Sequence, residues 1–259
     1  MKKIISIYNR KGGVGKTTTA FALLCYLALL GYMVLALDFD SQANLSRRLL
    51  AGKRAKRTLT DIITSGMPIM PDDLMQASID SSHHVDFVPA SLGLTRMDTK
   101  LPPEGKDFFV IDLLSEIGSN YDYIILDTPP SAEIQSTAAL IASTDVLIPS
   151  LPETMGLEGV RETMNIVERI QNNSRLNPSL NLLGILLTKF PVRKINTAQN
   201  AIKELTDEFS DKVISCPIRE GNKVEQAIMH NQSIITYDPD YFVTKDYLRV
   251  FDELFKSEL

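Results

Sequence analysis

Residues 9–19 read Asn-Arg-Lys-Gly-Gly-Val-Gly-Lys-Thr-Thr-Thr, between an isoleucine-rich run at residues 4–7 and an uncharged segment at residues 20–37. This order predicts a strand, a glycine-rich turn and the start of a helix. Glycines let the backbone bend so that several N–H groups face one anion, and the helix presents its positive end to the same point. Lys16 would then reach the outer phosphates, and the Thr17 hydroxyl would ligate Mg²⁺. The stretch therefore predicts a nucleoside triphosphate site.

The rest of the chain alternates between strand-like and helix-like patterns, which predicts an α/β fold with a mostly parallel, doubly wound sheet and helices on both faces. Strands are predicted near residues 3–8, 33–38, 85–88, 122–127, 145–150, 181–187 and 213–215. Helices are predicted near residues 16–30, 58–65, 106–118, 133–142, 156–172, 196–209, 223–230 and 240–256. No Gly-, Ser- or Pro-rich run is long enough for a linker, so we expect one domain over residues 1–259.

The composition is that of a globular protein, with 44% hydrophobic and 23% charged residues. Its net charge of −5 means that nucleic acid would have to bind at a local basic patch. The two cysteines, Cys25 and Cys216, lack the spacing of metal ligands. A chain with so few cysteines is typical of a reducing cytoplasm. The first residues run directly into a strand, so we expect no signal peptide and a cytoplasmic location.

The uncharged segment at residues 20–37 is long enough to span a membrane. Gly31 and Tyr32 interrupt it, and residues 33–37 have the length of a strand. A buried helix followed by a central strand of a parallel sheet explains the segment better.

Acidic residues end two further apolar strands of the predicted sheet. Asp38 and Asp40 follow the second strand, and Asp127 ends the run Tyr-Ile-Ile-Leu-Asp before Thr-Pro-Pro-Ser at residues 128–131. In such folds ligands bind at the carboxyl ends of the strands, where carboxylates suit a hard cation. Aspartates after a strand are also common as helix caps, and the pattern alone leaves that alternative open.

The loop departs from the ordinary phosphate-loop pattern, because Arg10 stands where that pattern has a glycine. An early lysine such as Lys11 is by itself as readily a solvated charge. The string Lys-Gly-Gly-Val-Gly-Lys-Thr at residues 11–17 nevertheless resembles the deviant Walker A loop of the ParA/MinD family of ATPases. Asp-Thr-Pro-Pro-Ser at residues 127–131 resembles the Walker B and second switch of that family. The resemblance covers residue 3 to about residue 235, nearly the whole chain.

The resemblance implies an ATPase that binds ATP and Mg²⁺ and works as a homodimer, with the early lysine of each chain reaching its partner's nucleotide. The nucleotide-binding positions it implies are Lys11, Gly12, Gly13, Val14, Gly15, Lys16, Thr17, Thr18, Thr188 and Pro217. The catalytic positions are Lys11, Lys16 and Asp40, with Asp40 orienting the attacking water, and the metal site comprises Thr17, Asp38 and Asp127. Ser41 replaces the usual proline of the first switch, and Gln226 replaces a usual glutamate. Leu157-Glu158-Gly159-Val160 is similar to a dimer-face motif of the family, although a plain helix start is an alternative.

Family members bind DNA without sequence preference through late basic residues, which here correspond to Arg193, Lys194, Arg219 and Lys223. A second basic group consists of Arg47, Arg48, Lys53, Arg54, Lys56 and Arg57. Either group could instead be solvated surface charge. Binding through phosphates alone would depend steeply on salt.

The resemblance is to the short ParA-type partition proteins, which separate plasmids or chromosomes, associate with the nucleoid and are stimulated by a ParB-like partner. The acidic segment 252–259 does not resemble the basic amphipathic membrane helix of other family members, so we expect no membrane partner. A switch that positions a protein complex or acts through a partner without DNA is one alternative. A synthetase that phosphorylates a carboxylate is another, but it would need a substrate pocket that the sequence does not show.

Overall fold

The computed structural model describes residues 3–95, 97–131, 134–191 and 195–255, and the backbone alone at residues 195–198. The strands are β1 (Lys3–Ile7), β2 (Val34–Asp38), β3 (Met75–Ser78), β4 (His84–Val88), β5 (Tyr123–Asp127), β6 (Asp145–Ser150) and β7 (Asn181–Leu187). The α-helices are α1 (Lys16–Leu29), α2 (Asn44–Leu50), α3 (Leu59–Ser65), α4 (Phe109–Leu113), α5 (Ile134–Ala142), α6 (Thr154–Gln171), α7 (Ile195–Phe209), α8 (Lys223–Met229), α9 (Ile234–Tyr237) and α10 (Phe242–Phe255).

The seven strands of the described residues form one sheet in the order β3-β4-β2-β5-β1-β6-β7. Every neighbouring pair is parallel except β3 and β4, which are antiparallel at one edge. The predicted α/β fold with a mostly parallel sheet is therefore confirmed. β1 lies between β5 and β6, so the loop after β1 opens beside the ends of both neighbours.

Alternate residues of each central strand enter different hydrophobic clusters, because successive side chains of a strand point to opposite faces. On β5, Tyr123 and Ile125 pack in the cluster that contains α1 and α10. Ile124 and Leu126 pack in the cluster that contains α3 and α4. Both faces of the sheet are thus covered by helices, which explains why these strands are apolar throughout.

The uncharged segment divides as expected into a helix and a strand, since α1 ends at Leu29 and β2 begins at Val34. Cys25 is buried in α1, as its apolar surroundings predicted. Within the part of the chain that the structure covers, no helix has the length and apolar character needed to cross a bilayer.

The structure differs from the sequence-based prediction at short elements. β3, α2 and α9 were not predicted, and α4 covers only residues 109–113 of a helix predicted over 106–118. Residues 213–215 form no strand; Val213 makes a single isolated bridge to Ile185 of β7. These elements have at most seven residues, too few for hydrophobic periodicity to be recognised, and packing on the sheet decides them.

Candidate nucleotide-binding site

The glycine-rich loop joins β1 to the first turn of α1 and has the backbone that its sequence demands. Gly13 and Gly15 have φ of +75° and +85°, in the left-handed region that favours glycine. A Cβ at Gly12 or Gly13 would meet nothing within 4 Å, so both residues border open space. The loop is a cradle that leaves room for phosphate groups beside the N-terminus of α1.

Lys16, the first residue of α1, is only 7% exposed, and its ammonium is held by the loop itself. Its Nζ donates to the carbonyl oxygens of Asn9 and Lys11, each at 3.0 Å. Burial lowers the pKa of Lys16 to about 8, while the negative charges of Asp127 and Asp40 act in the opposite direction. A buried cation with only neutral acceptors and nearby carboxylates is suited to receive an anion.

Lys11 lies at the entrance of the same loop and forms an ion pair within its own chain. Its Nζ is 2.8 Å from Oε1 of Glu153, the residue that precedes α6. The Lys11 backbone N–H donates to Oδ1 of Asn9, which is fully buried and whose amide donates to the carbonyl oxygen of Pro149. The loop is thereby fixed to the end of β6, with its lysine turned toward Glu153.

Asp38 and Asp127 end adjacent strands and are paired in register, so their carboxylates share one edge of the sheet. Asp38 accepts hydrogen bonds from the Asp40 N–H on one oxygen and from the Ser46 N–H and hydroxyl on the other, at 2.8–3.0 Å. Burial raises the pKa of Asp38 to about 6, and the Ser46 hydrogen bonds oppose this rise. Asp38 is thus a buried carboxylate held in one orientation.

Asp127 is completely buried, and neither of its carboxylate oxygens has a hydrogen-bond partner among the described residues. Burial and the charge of Asp38 raise the pKa of Asp127. The nearby Thr17 hydroxyl lowers that pKa, although it does not meet the geometry of a hydrogen bond to Asp127. An unpartnered buried carboxylate is costly unless a cation or an ordered water completes it. The position therefore fits a hydrated metal ion.

Among the described residues no group of three or more His, Cys, Asp or Glu side chains could hold a metal ion by itself. The metal site predicted at Thr17, Asp38 and Asp127 stays a prediction. Mg²⁺ commonly keeps several waters and is completed by substrate phosphates.

Two adjoining cavities open above the loop. The first, of about 310 Å³, is lined by Gly12, Gly13, Gly15, Lys16, Thr17, Thr18, Asp40, Asn44, Pro130, Lys189, Val224, Glu225 and Ile228. The second, of about 110 Å³, shares Gly15 and Thr18 and is lined in addition by Thr188 and Ile218. The Thr188 hydroxyl also donates to the Val14 carbonyl oxygen at 2.8 Å, which joins β7 to the loop.

The structure thus brings Gly12, Gly13, Gly15, Lys16, Thr17, Thr18, Asp40 and Thr188 to one pair of cavities, whereas Lys11, Val14, Asp38 and Asp127 line neither of them. Pro217 does not line either cavity; Ile218 and Arg219, which follow it, line the smaller one. A further cavity of about 320 Å³ lies between α3 and α4, away from the loop, and offers no glycine cradle or buried lysine.

Sequence reasoning missed three residues that shape the site. Asn9 and Glu153 orient Lys11, and Ser46 orients Asp38 while accepting the Ala90 N–H on its hydroxyl at 2.7 Å. Asn9 stands inside the decisive stretch and could have been singled out there. Glu153 and Ser46 lie 142 and 8 residues from the groups they contact, so no local pattern marks them.

Two of the four residues assigned to DNA binding are engaged within the chain. Arg219 donates to both carboxylate oxygens of Asp246 at 2.7 and 2.9 Å and stacks on the Phe242 ring. Lys223 pairs with Asp238. Arg193 and Lys194 lie outside the described residues. The DNA-binding assignment stays a prediction, and at Arg219 and Lys223 the positive charge is largely compensated.

The fold places the residues of the early basic group in different surroundings. Arg57 pairs with Asp73 at 2.8 Å, and Arg48 is partly buried. Arg47, Lys53, Arg54 and Lys56 are exposed, and none of the four has an ion-pair partner in the described part of the chain. These four side chains form the uncompensated part of the early group.

Comparison with known proteins shows the family of this chain. A family model described as an AAA domain matches residues 2–182. The chain is 34% identical to the sporulation initiation inhibitor protein Soj of Bacillus subtilis over 256 residues, which cover 98% of each protein. It is 33% identical to the chromosome-partitioning ATPase Soj of Treponema pallidum over 255 residues, covering 98% of this chain and 97% of the relative. The chain belongs to the ParA/MinD family.

Solved structures of similar proteins carry nucleotides. This chain aligns over its full length with a putative plasmid partition protein of Borrelia burgdorferi bound to AMPPNP. The two chains are 25% identical, the TM-score is 0.82, and the alignment covers all of the Borrelia chain. Cobyrinic acid a,c-diamide synthase of Mycobacterium smegmatis, bound to an ATP analogue and magnesium, aligns at 25% identity and a TM-score of 0.75, covering 89% of this chain and 92% of that one. The predicted family and its deviant phosphate loop are thereby confirmed.

Proposed function

We propose that this chain is a partition ATPase that dimerises on binding ATP, binds DNA without sequence preference and releases it after hydrolysis. The observation that carries the proposal is the pair of lysines on one glycine cradle, Lys16 inside it and Lys11 at its entrance. The unpartnered carboxylate of Asp127 beneath them supports a metal-dependent site. Relatives named as chromosome-partitioning ATPases align over nearly the whole chain and support the partition role.

ATP and Mg²⁺ are the ligands of this cradle. The loop N–H groups and Lys16 would hold the phosphates, while Thr17 would ligate the metal and Asp38 and Asp127 its waters. Bound ATP supplies the phosphoanhydride bond to be cleaved, and Mg²⁺ offsets the charge of its phosphates. To bind it, Lys16 exchanges the carbonyl oxygens of Asn9 and Lys11 for phosphate oxygens, which are stronger acceptors.

The position of Lys11 supports the proposed homodimer. In a single chain its ammonium is held by Glu153 and is exposed enough to leave it, with 21% of the side chain accessible. Two chains facing each other would each donate Lys11 to the partner's triphosphate. The dimer would then be stable only while both sites hold ATP, which makes hydrolysis a switch.

Asp40 is the residue that would orient the attacking water. It lines the larger cavity, and its Oδ1 accepts the Gln42 N–H at 2.9 Å, which leaves the second carboxylate oxygen to bind a water. Among the described residues that line the cavity, no second group of the same chain joins Asp40 in orienting the attacking water. Hydrolysis should therefore be slow until a partner protein acts, and we propose a ParB-like partner.

DNA binding would place the protein on the nucleoid in the cytoplasm. The late residues Arg193, Lys194, Arg219 and Lys223 are the candidate surface by resemblance to the family, and the exposed part of the early group is the alternative. Because the net charge is −5, binding would rely on one of these local patches and weaken steeply with salt.

The proposal is tested by sedimentation of the purified chain with ADP or ATP and Mg²⁺, and by gel retardation of unspecific DNA under the same conditions. We expect a monomer with ADP, a dimer with ATP, and retardation of DNA with ATP alone. A monomer that hydrolyses ATP at its full rate would contradict the dimer switch.

A second candidate is a ParA/MinD-type switch that positions a protein complex or acts through a partner without DNA. The compensation of Arg219 by Asp246 and of Lys223 by Asp238 favours it, because paired cations attract phosphates less. ATP-dependent dimerisation without any retardation of DNA at low salt would support this second function.

A further inference from the structure

Asn44 lines the larger cavity beside Asp40 and is the first residue of α2. Gly15 and Thr18 line both cavities, so they mark the junction between them. Asn44, Asp40 and Lys16 line the larger cavity and not the smaller one. Because Lys16 would hold the outer phosphates, Asn44 lies at the end of the cavity where the terminal phosphate of ATP would bind.

Arg47, one helical turn later on α2, fixes the orientation of the Asn44 amide. Its Nη2 donates to Oδ1 of Asn44 at 2.6 Å and to the Gln42 carbonyl oxygen at 3.1 Å. A guanidinium has donors only, so the atom of Asn44 that faces it is the amide oxygen. Arg47 does not line the cavity, which leaves the amide nitrogen of Asn44 as the end available to it.

The nitrogen of the Asn44 amide, Nδ2, carries two N–H donors. Across the part of the chain that the structure describes, no hydrogen-bond acceptor faces Nδ2. The cavity beside it is lined by Lys16 and by the glycines of the cradle, which suits an anion. A phosphate oxygen is therefore a fitting acceptor for the free donors of Asn44.

The segment from Asp40 to Asn44 is already held in place without a ligand. The Gln42 N–H donates to Oδ1 of Asp40 at 2.9 Å, and the Ala43 N–H donates to the Asp40 carbonyl oxygen at 2.8 Å. Ala43 has a φ of +53°, in the left-handed region that a non-glycine residue adopts at a cost. Such strain recurs at binding sites, and a preformed segment loses little freedom when its ligand arrives.

We propose that Asn44 binds the terminal phosphate of ATP through Nδ2 and so distinguishes ATP from ADP, with Arg47 as its positioning residue. A hydrogen bond to a charged phosphate oxygen is stronger than one between neutral groups. ADP lacks the terminal phosphate and would not gain this contact. The inference rests on the proposed nucleotide site and adds to it the residue that recognises the triphosphate. It also gives Arg47, an exposed member of the early basic group, a role other than DNA binding.

The test is calorimetric titration of the full chain with ADP and with AMPPNP, a non-hydrolysable ATP analogue, in the presence of Mg²⁺. Asn44→Ala removes the amide and should weaken AMPPNP binding about tenfold, with the ADP affinity within about twofold of the unchanged protein. Asn44→Asp replaces the donors with a carboxylate that repels phosphate, so its loss of AMPPNP affinity should be larger. Gln42→Ala removes an exposed amide from the same segment and is the matched control, which should change neither affinity.

Arg47→Ala tests the positioning role, because it leaves the Asn44 amide in place but free to rotate. The AMPPNP affinity should fall by about threefold while the ADP affinity is unchanged. Arg47→Lys should recover most of the loss, since an ammonium can also donate to Oδ1 of Asn44. The double variant Asn44→Ala, Arg47→Ala should lose no more than Asn44→Ala alone, because Arg47 acts through Asn44. An unchanged AMPPNP affinity in Arg47→Ala would overturn the positioning role.

Dimerisation would also strengthen AMPPNP binding, so each titration is repeated in a Lys11→Ala background that lacks the proposed dimer contact. The same loss in that background supports a phosphate contact within one chain, and its disappearance there overturns the proposal. An AMPPNP affinity that is unchanged in Asn44→Ala, or that falls together with the ADP affinity, would also overturn it, as would an equal loss in Gln42→Ala. If the unchanged chain binds neither nucleotide, the proposed nucleotide site itself fails.

Discussion

The Nζ of Lys11 lies 2.8 Å from Oε1 of Glu153, although 142 residues separate them in sequence. The contact exists because β1 and β6 are neighbours in the sheet, and the loops after them meet at its carboxyl edge. The ammonium proposed to reach a partner's nucleotide is thus held within its own chain. Dimerisation would require this ion pair to open.

Glu153→Gln should favour the ATP-bound dimer, because the free energy of dimerisation no longer includes breaking the Lys11 ion pair. Each partly exposed pair contributes roughly 0.2–1 kcal/mol, and two pairs open per dimer, which corresponds to a dimer dissociation constant about twofold to thirtyfold lower. Sedimentation equilibrium with ATP and Mg²⁺ measures the constant. Glu168→Gln, an exposed site on α6, the helix that follows Glu153, is the control. A weaker dimer in Glu153→Gln would mean that Glu153 itself belongs to the dimer contact.

Lys16→Ala should abolish measurable nucleotide binding, since it removes the one buried ammonium of the described cradle. Each charge-assisted hydrogen bond that its ammonium would make to phosphate contributes about 1.5–3 kcal/mol, and no other side chain in the loop replaces these bonds. Calorimetric titration with ATP and Mg²⁺ is the measurement. Lys53→Ala, at an exposed position, serves as the control. Retained ATP affinity would count against the loop as the binding site.

Asp40→Ala should bind ATP normally and accumulate as a dimer without turnover. The substitution removes the carboxylate that orients water but leaves the cradle and Lys11 in place. Phosphate release and sedimentation with ATP, measured side by side, distinguish the two effects. Asp72→Ala removes an exposed aspartate elsewhere and should hydrolyse ATP as the unchanged protein does. A normal rate of phosphate release in Asp40→Ala would exclude this role.

Ser46→Ala should destabilise the fold by about 1–2 kcal/mol, because the buried hydroxyl connects Asp38 to the Ala90 N–H and both would lose a partner. Urea unfolding gives the free energy of unfolding. The exposed Ser81→Ala should change it by less than about 0.5 kcal/mol. Equal stabilities for the two variants would show that Ser46 does not hold Asp38 in solution.

The two candidate DNA surfaces can be separated by charge. Arg219→Gln is preferred to a glutamate there, because a second carboxylate would face Asp246. If the late residues bind DNA, this variant should weaken retardation and reduce the salt dependence of binding by about one phosphate contact, with dimerisation intact. The triple change Lys53→Gln, Arg54→Gln and Lys56→Gln is the matched comparison. A loss of DNA affinity confined to the triple variant would assign binding to the early group.

Local sequence patterns predicted much of the candidate site. The glycines that need a left-handed backbone, the lysine behind them and the aspartates that end β2 and β5 are all recognisable in the sequence, because each is dictated by its immediate neighbours. Thr188 follows β7 and lies beside the loop, and its role at the nucleotide stays a prediction. Pro217 lines neither cavity, whereas Ile218 and Arg219 line the smaller one.

The sequence by itself determined the phosphate loop, the alternation of strands and helices, and the family, because these depend on chain-local chemistry: glycine conformations, apolar runs and residues at fixed spacing. Only the tertiary structure decided which charges meet. Glu153 reaches Lys11, Ser46 holds Asp38, and Asp246 compensates Arg219. Such contacts depend on strand order and helix placement, and a charge in the sequence does not show whether it will be solvated, paired or buried.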